Sequence, residues 1–445
     1  MTKTNQLRTA RCLSVLLVLL ILFSLPASVS YAEPDSKDQA NHILLYCLTT
    51  DTLLYEKNTD IPLDPGYTAQ MMTALLALEY DPDLTKTVTL APDLLTTWGF
   101  PLDFRSHLDY GFQKNATIPV KDMLAVMIQE NATSAATLLA ATIGGSVENF
   151  VQMMNARALE LGMEHTVFAN PTGVASPSAT STMQDLFKLA TLLYKNSYYM
   201  EIASARSYKL ANNGFTVYTR NYLIGNWYTT DFRYSKATGM KTDSSFEKNN
   251  PMRTTMLFAT ATESDDNNYL LMIMGAQGSS AYTMAQDFFK WGSTDFRTLK
   301  VIAREQLYTF LPVEGGDRTT KVPIFPEKDM TAFLPSSVKP EDVTYKYTLT
   351  KKKLEAPLEY NTKVGEVQAF VGDKMIASCN LIVGQNLAEG KDSQVYGVLG
   401  SILLSPLVLI GFFILAVYLI YKFHILAIVV RLIRKIHKNK KKKKG

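Results

Sequence analysis

The chain has 445 residues, with 45 lysines and arginines against 41 aspartates and glutamates, a formal net charge of +4, and 47% hydrophobic residues. Ten of the basic residues lie from Lys422 onward and three in the first eleven positions, so the stretch between carries 32 basic against 41 acidic residues, a net of −9. That acidity argues against a nucleic-acid partner, and the stretch is longer than one ordinary domain.

The N-terminus places Lys3, Arg8 and Arg11 before an apolar run from Cys12 to Leu25, then Pro26 and the small-x-small site Ser30-Tyr31-Ala32. This is the pattern of a signal peptide over 1–32, with an uncleaved signal anchor as the alternative, and both readings put Glu33 outside the cell. Strand-like Asn41 to Leu48 and helical Thr68 to Tyr80 open a mixed α/β region over 33–300. Apolar spacing of three and four predicts further helices over Val120 to Ile143, Val147 to Leu161 and Thr182 to Lys195. The runs Thr254 to Thr262 and Tyr269 to Ala276, separated by polar Glu263 to Asn268, predict an antiparallel hairpin.

Over 308–384 the pattern changes to short alternating runs broken by Gly, Pro and Asp, such as Val364 to Val371 and Met375 to Val383, which predicts a small all-β domain. A polar linker over 385–396 follows. The run Val398 to Ile420 is apolar or small at every position, long enough for a transmembrane helix over 397–421. Lys422, Arg431, Arg434, Lys435, Lys438 and Lys440 to Lys444 all lie beyond it, so the positive-inside rule makes 422–445 a cytoplasmic tail. Ile425 to Ile436, which mixes apolar and basic residues, fits a position along the inner leaflet. Cys47 and Cys379 are far apart in sequence; one disulfide or two buried free thiols both fit, and the second is favoured because a chain this long builds a core without a crosslink.

Between Asn41 and Val383 the order and spacing of several segments resemble the D-alanyl-D-alanine carboxypeptidases, low-molecular-mass penicillin-binding proteins that share the class A β-lactamase fold. The segments are "ILLYCLTTDTLLYEKNTDIPLDPGYTAQMMTALLALE", "FANPTGV", "STMQDL", "ATGMKTD" and "KVGEVQAFVGDKMIASCNLIV". The resemblance implies an α+β, β-lactamase-like domain followed by the β domain and the anchor. It also implies three site patterns: Ser-x-x-Lys at a helix start, Ser-x-Asn at a turn, and Lys-Thr-Gly on an edge strand.

At the first of these positions the chain carries Tyr67 and Gln70, so a phenol replaces the nucleophile and an amide that takes no proton replaces the base. At the second it carries Gln129-Glu130-Asn131, so the shuttle hydroxyl is lost and the amide of Asn131 is kept. At the third it carries Lys241-Thr242-Asp243, which sets a carboxylate where the substrate's own carboxylate would approach. Ala179 stands near the place of a family histidine.

Alternative machinery is not evident. Ser245 to Lys248 and Ser336 to Lys339 fit Ser-x-x-Lys by letter but open no amphipathic helix, and Thr68 has Met71 where its lysine would stand. His42, His107 and His165 are isolated, no cluster has metal spacing, and "GGSVENF" reads as a turn between helices. The resemblance implies no cofactor. It leads to a catalytically degenerate carboxypeptidase homologue at the cell surface that binds a peptidoglycan stem peptide or a cell-wall protein through Asn131, Lys241, Thr242 and Asp243. The competing reading is an active serine-type D-Ala-D-Ala carboxypeptidase with a rebuilt site.

Overall fold

A computed structural model describes residues 33–89, 115–225, 232–243, 245–247, 250–253, 255–263, 265–316, 321–389 and 406–441. The signal segment, His107 and the start of the expected transmembrane run lie outside these residues. The chain divides into two units, Ala27–Thr298 with Phe333–Val338, and Leu299–Ala332 with Lys339–Gly445.

The first unit is built on one antiparallel sheet of five strands, β1 (His42–Cys47), β2 (Thr52–Lys57), β3 (Ala237–Thr242), β4 (Met256–Thr262) and β5 (Asn268–Met274), in the order β2-β1-β5-β4-β3. Its central strands are apolar at nearly every position because both faces are covered. Leu44, Phe258, Leu270 and Met272 face one core, while Ile43, Leu45, Leu257, Leu271 and Ile273 face the other. The hairpin expected from the sequence is β4 and β5, paired from Met256 with Met274 to Thr262 with Asn268.

The first core is closed by α1 (Thr68–Tyr80), α2 (Val120–Glu130), α3 (Thr133–Gly144), α4 (Val147–Glu160), α5 (Met183–Tyr194) and α6 (Ser197–Ser204). The second is closed by α7 (Ser280–Thr294), whose Tyr282, Phe288 and Phe289 are fully buried. The α1 helix is buried along nearly its whole length, from Thr68 to Leu78, so it is the central post of the helical layer.

One expectation is corrected here. The spacing over Val120 to Ile143 predicts one helix, but the chain breaks at Asn131, which adopts φ 60°, ψ 27° between α2 and α3. Asparagine tolerates this left-handed conformation better than most residues, so a helical apolar pattern can run through a break that the pattern does not register. The "GGSVENF" stretch is a turn as expected: Gly145 has φ 73° and the Ser146 hydroxyl caps α4 by accepting from Asn149 N.

The second unit contains a six-stranded sheet of β6 (Thr309–Glu314), β7 (Lys321–Pro326), β8 (Val343–Leu349), β9 (Leu354–Glu355), β10 (Lys363–Val371) and β11 (Lys374–Val383), in the order β8-β10-β11-β7-β6-β9. A helix, α8 (Pro406–Lys441), follows later in the chain, and its stretch Phe413–Val430 is long and apolar enough to cross a membrane. The helix continues past Lys422, where the sequence reading ended the span. Neither proline nor glycine interrupts residues 412–441, so nothing local stops it. Cys47 and Cys379 are both buried and free.

One close approach fixes the start of α1. Gly173 has φ 80°, and a Cβ built on it would stand 2.6 Å from both the Gly66 carbonyl oxygen and the Tyr67 Cα. Gly173→Ala combines a strained backbone with that overlap and is expected to lower stability by about 2–4 kcal/mol. A melting temperature of the purified variant equal to that of the parent would contradict this.

Candidate functional site

The turn before α1 is held by local bonds. Asp64 Oδ1 accepts from Gly66 N at 2.9 Å, and Gly66 takes φ 50°. Tyr67 is the last residue before the helix and half-buried, with its pKa raised by burial and then by the charge of Asp243. Thr68 is fully buried and its hydroxyl donates to the Pro65 carbonyl at 2.6 Å, so the hydroxyl one place along is bound within the turn.

One helical turn on, Gln70 is 1% exposed. Its Nε2 donates to the carbonyls of Asn131 at 3.2 Å and Thr172 at 2.9 Å. Among the described residues its Oε1 has no hydrogen-bond partner. The amide therefore sits in a socket of two carbonyls that suits any donor, a cation included, and it offers no group able to accept a proton from a hydroxyl.

The break at Asn131 directs that side chain to the edge strand, where Asn131 Oδ1 accepts from Lys241 Nζ. The same ammonium donates to the Met127 carbonyl at 3.3 Å and stands 5.8 Å from the centre of the Tyr67 ring. Lys241 is 1% exposed, and its pKa falls to about 7, chiefly through burial; Asp243 opposes the shift and Arg220 adds to it. Arg220 is paired with Glu130, Nε to Oε2 2.9 Å. No short motif points to Arg220 in the sequence; the only signal was Glu130, the unremarked middle residue of the second pattern.

Gln129 stands where the resemblance places the missing shuttle hydroxyl, and its side chain turns elsewhere. Its Nε2 donates to the carbonyls of Ile202 and, at 2.9 Å, Ala205, so its side chain ties the end of α2 to α6 and is not part of the cleft. Its place before the break gives it the opposite direction from Asn131. Thr242 is buried too, its hydroxyl donating to the Met256 carbonyl at 3.1 Å and lying 3.3 Å from the Tyr282 hydroxyl. Asp243 is better integrated than a bare charge. Its Oδ1 accepts from the amides of Thr255 and Met256 at 2.9 Å each, and its Oδ2 accepts from the Thr255 hydroxyl. Burial raises its pKa and these bonds work against the rise.

Tyr67 and Asp243 open onto a cleft of about 630 Å³, whose walls include His42, Leu63, Asp64, Val174 and Met256. The His42 Nδ1 lies 2.8 Å from the Asn58 carbonyl oxygen, and His165 is exposed, 3.9 Å from Asp185. Ala179 is in a turn closed on the Ser176 carbonyl. Among the described residues no group of three His, Cys, Asp or Glu side chains could hold a metal ion.

Comparison with known families matches residues 28–278 to D-alanyl-D-alanine carboxypeptidase and residues 296–389 to the C-terminal domain of penicillin-binding protein 5. D-alanyl-D-alanine carboxypeptidase DacD of Salmonella typhimurium is 25% identical over 372 residues, 82% of this chain and 90% of that protein. Among solved structures, penicillin-binding protein 5 from Haemophilus influenzae aligns with a TM-score of 0.56 at 24% identity, covering 81% of this chain and all of that one. The carboxypeptidase DacD from Francisella tularensis aligns with a TM-score of 0.58 at 17% identity, covering 82% and 96%. These two likenesses show the shared fold.

Two outcomes follow from the geometry. Gln70→Leu removes the donor that reaches two buried carbonyls and is expected to cost about 1–3 kcal/mol, whereas Gln70→Lys, which restores donors to the socket, costs less. Equal loss in chemical denaturation would refute the socket. The second outcome concerns Lys241, whose folded pKa lies below its unfolded value. Between about pH 7 and pH 10 the unfolded chain binds the proton and the folded one does not, so folding strengthens as pH rises. Relative to Lys241→Met, the parent should gain up to about 1.4 kcal/mol per pH unit across that window, and parallel stability profiles would count against the buried, neutral amine.

Proposed function

This chain belongs to the D-alanyl-D-alanine carboxypeptidase family, and we propose that it is a member whose fold persists without acyl-transfer chemistry, acting at the cell surface by binding a peptidoglycan stem peptide or a wall protein. The observation that carries this reading is the Gln70 amide, locked between the carbonyls of Asn131 and Thr172 at the position of the family's base. Beside it, Tyr67 is a phenol whose ionisation is opposed by burial, and no hydroxyl stands at the Asn131 break to relay a proton. Loss of a nucleophile or base alone costs on the order of a millionfold in another serine hydrolase, and the losses do not simply add.

The proposed layout has a signal peptide over 1–32, the carboxypeptidase-like domain over 33–300, the β domain over 308–384, a linker over 385–396, one membrane span and a basic cytoplasmic tail. The apolar stretch Phe413–Val430 and the one-sided lysines beyond it support that topology. Asn131, Lys241 and Thr242 support the shape of the cleft from within, since all three are buried. The binding surface is the open wall formed by Tyr67 and Asp243.

One observation favours the second reading, a working carboxypeptidase with Tyr67 as nucleophile. The Lys241 amine, with its pKa near 7, stands 5.8 Å from the phenol ring centre and could serve as its base. A fluorescent penicillin separates the two. The proposal expects no covalently labelled band from the parent protein; a stable band abolished by Tyr67→Phe would establish the second reading instead. The double variant Tyr67→Ser with Gln70→Lys is also expected to stay unlabelled, because the shuttle hydroxyl is still missing and Asp243 still faces the cleft.

A further inference from the structure

The family's cleft is expected to receive a carboxylate, yet among the described residues the charged side chains that line this cleft are acidic, with the Arg220 charge felt at Tyr67 from behind the wall. Lys241, the residue that the resemblance assigns to the substrate's carboxylate, is 1% exposed and spends its hydrogen bonds on Asn131 and the Met127 carbonyl. Arg220 is engaged by Glu130 and does not line the cleft. Among the described residues the charged side chains that do line it are Asp64 and Asp243, and His42 and Tyr67 are the other titratable groups there. Among the described residues no lysine or arginine lines it.

Asp243 is also held in a fixed position. Two backbone amides and the Thr255 hydroxyl grip its carboxylate at the end of β3, so its charge does not swing away as an exposed aspartate's would. The Tyr67 ring, whose electron-rich face attracts cations, opens onto the same space, and Leu63, Val174 and Met256 provide apolar wall that weakens solvent screening. A carboxylate entering here meets like charge, whereas an ammonium meets two carboxylates and an aromatic ring.

We propose that this cleft selects ligands carrying a primary amine, such as a peptide with a lysine-like side chain, and that Asp243 is the residue that sets the preference. The inference rests on the binding role proposed above and names the chemical class bound there. The neutral Gly or Asn at this position would remove the preference without closing the cleft.

The test uses the full-length protein in detergent and two synthetic pentapeptides ending in D-Ala-D-Ala, identical except that the lysine side chain at the third position is free in one and acetylated in the other. Binding is followed by calorimetry in low salt. The expected result is that the free amine binds on the order of tenfold tighter, that Asp243→Asn removes most of that difference, and that Asp64→Asn removes part of it. Because Asp243→Asn also alters the grip on Thr255, each variant's melting temperature is measured alongside, and Asp64→Asn, which removes the charge but keeps an oxygen to accept from Gly66 N, provides a second, more conservative variant. Equal affinity for the two peptides overturns amine selection and leaves a peptide-binding role standing. Binding of neither peptide overturns the stem-peptide reading and the inference together. A preference that persists unchanged in both variants overturns the assignment to Asp243.

Discussion

Burial of one lysine organises the centre of the first unit. Removing an ammonium from water costs several kcal/mol unless its protons find partners or it gives one up, and Lys241 does both. Its partners exist only because α2 stops one residue before Asn131 and the chain turns left-handed there, which brings the Asn131 amide and the Met127 carbonyl to face the edge strand. The edge strand in turn is held in register by β4, where Phe258 pairs with Lys241 and Leu257 with Thr242. Shifting β3 by one residue would turn the lysine to the other face of the sheet, away from Asn131 and the Met127 carbonyl, so the helix break and the sheet register depend on each other.

Much of this was legible in the sequence. The helix at Thr68, the hairpin of β4 and β5 and the paired runs of the β domain are long, strongly patterned segments, and local pattern suffices where a segment's neighbours agree with it. The order of the three motifs led to the family and brought Tyr67, Gln70, Asn131 and Lys241 together in one region. Three features escaped the local pattern, though the resemblance set a turn at Asn131. The break inside Val120 to Ile143 depends on a single residue's φ, to which apolar spacing is blind. The direction of Gln129 depends on that break, since two residues on either side of a left-handed turn point to different neighbours. The role of Asp243 depends on Thr255, twelve positions away, whose amide and hydroxyl no motif announces.

The reading of Asp243 shifted most. From sequence it is a charge that spoils a carboxylate site. In the fold it also replaces what a glycine cannot supply, a clasp between β3 and the start of β4. A substitution that only erased binding would have no reason to be so thoroughly hydrogen-bonded. On the proposed reading, loss of a carboxylate site and stabilisation of the strand edge are combined in one side chain, whose charge faces the cleft.

The same logic accounts for how the fold would tolerate the proposed loss of chemistry. The carbonyls of Asn131 and Thr172 are aimed inward by backbone geometry, at a left-handed asparagine and beside a glycine with φ 80°, whatever residue occupies position 70. Buried carbonyls need donors, so position 70 is constrained to carry one even when no proton is to be moved. Gln70 meets that structural demand with its nitrogen, while among the described residues its oxygen has no partner, which is the arrangement expected if packing of the socket is maintained and proton transfer is not. An amide that oriented a hydroxyl in a rebuilt site would have an oxygen or an N–H directed at it, whereas here both N–H bonds go to backbone carbonyls.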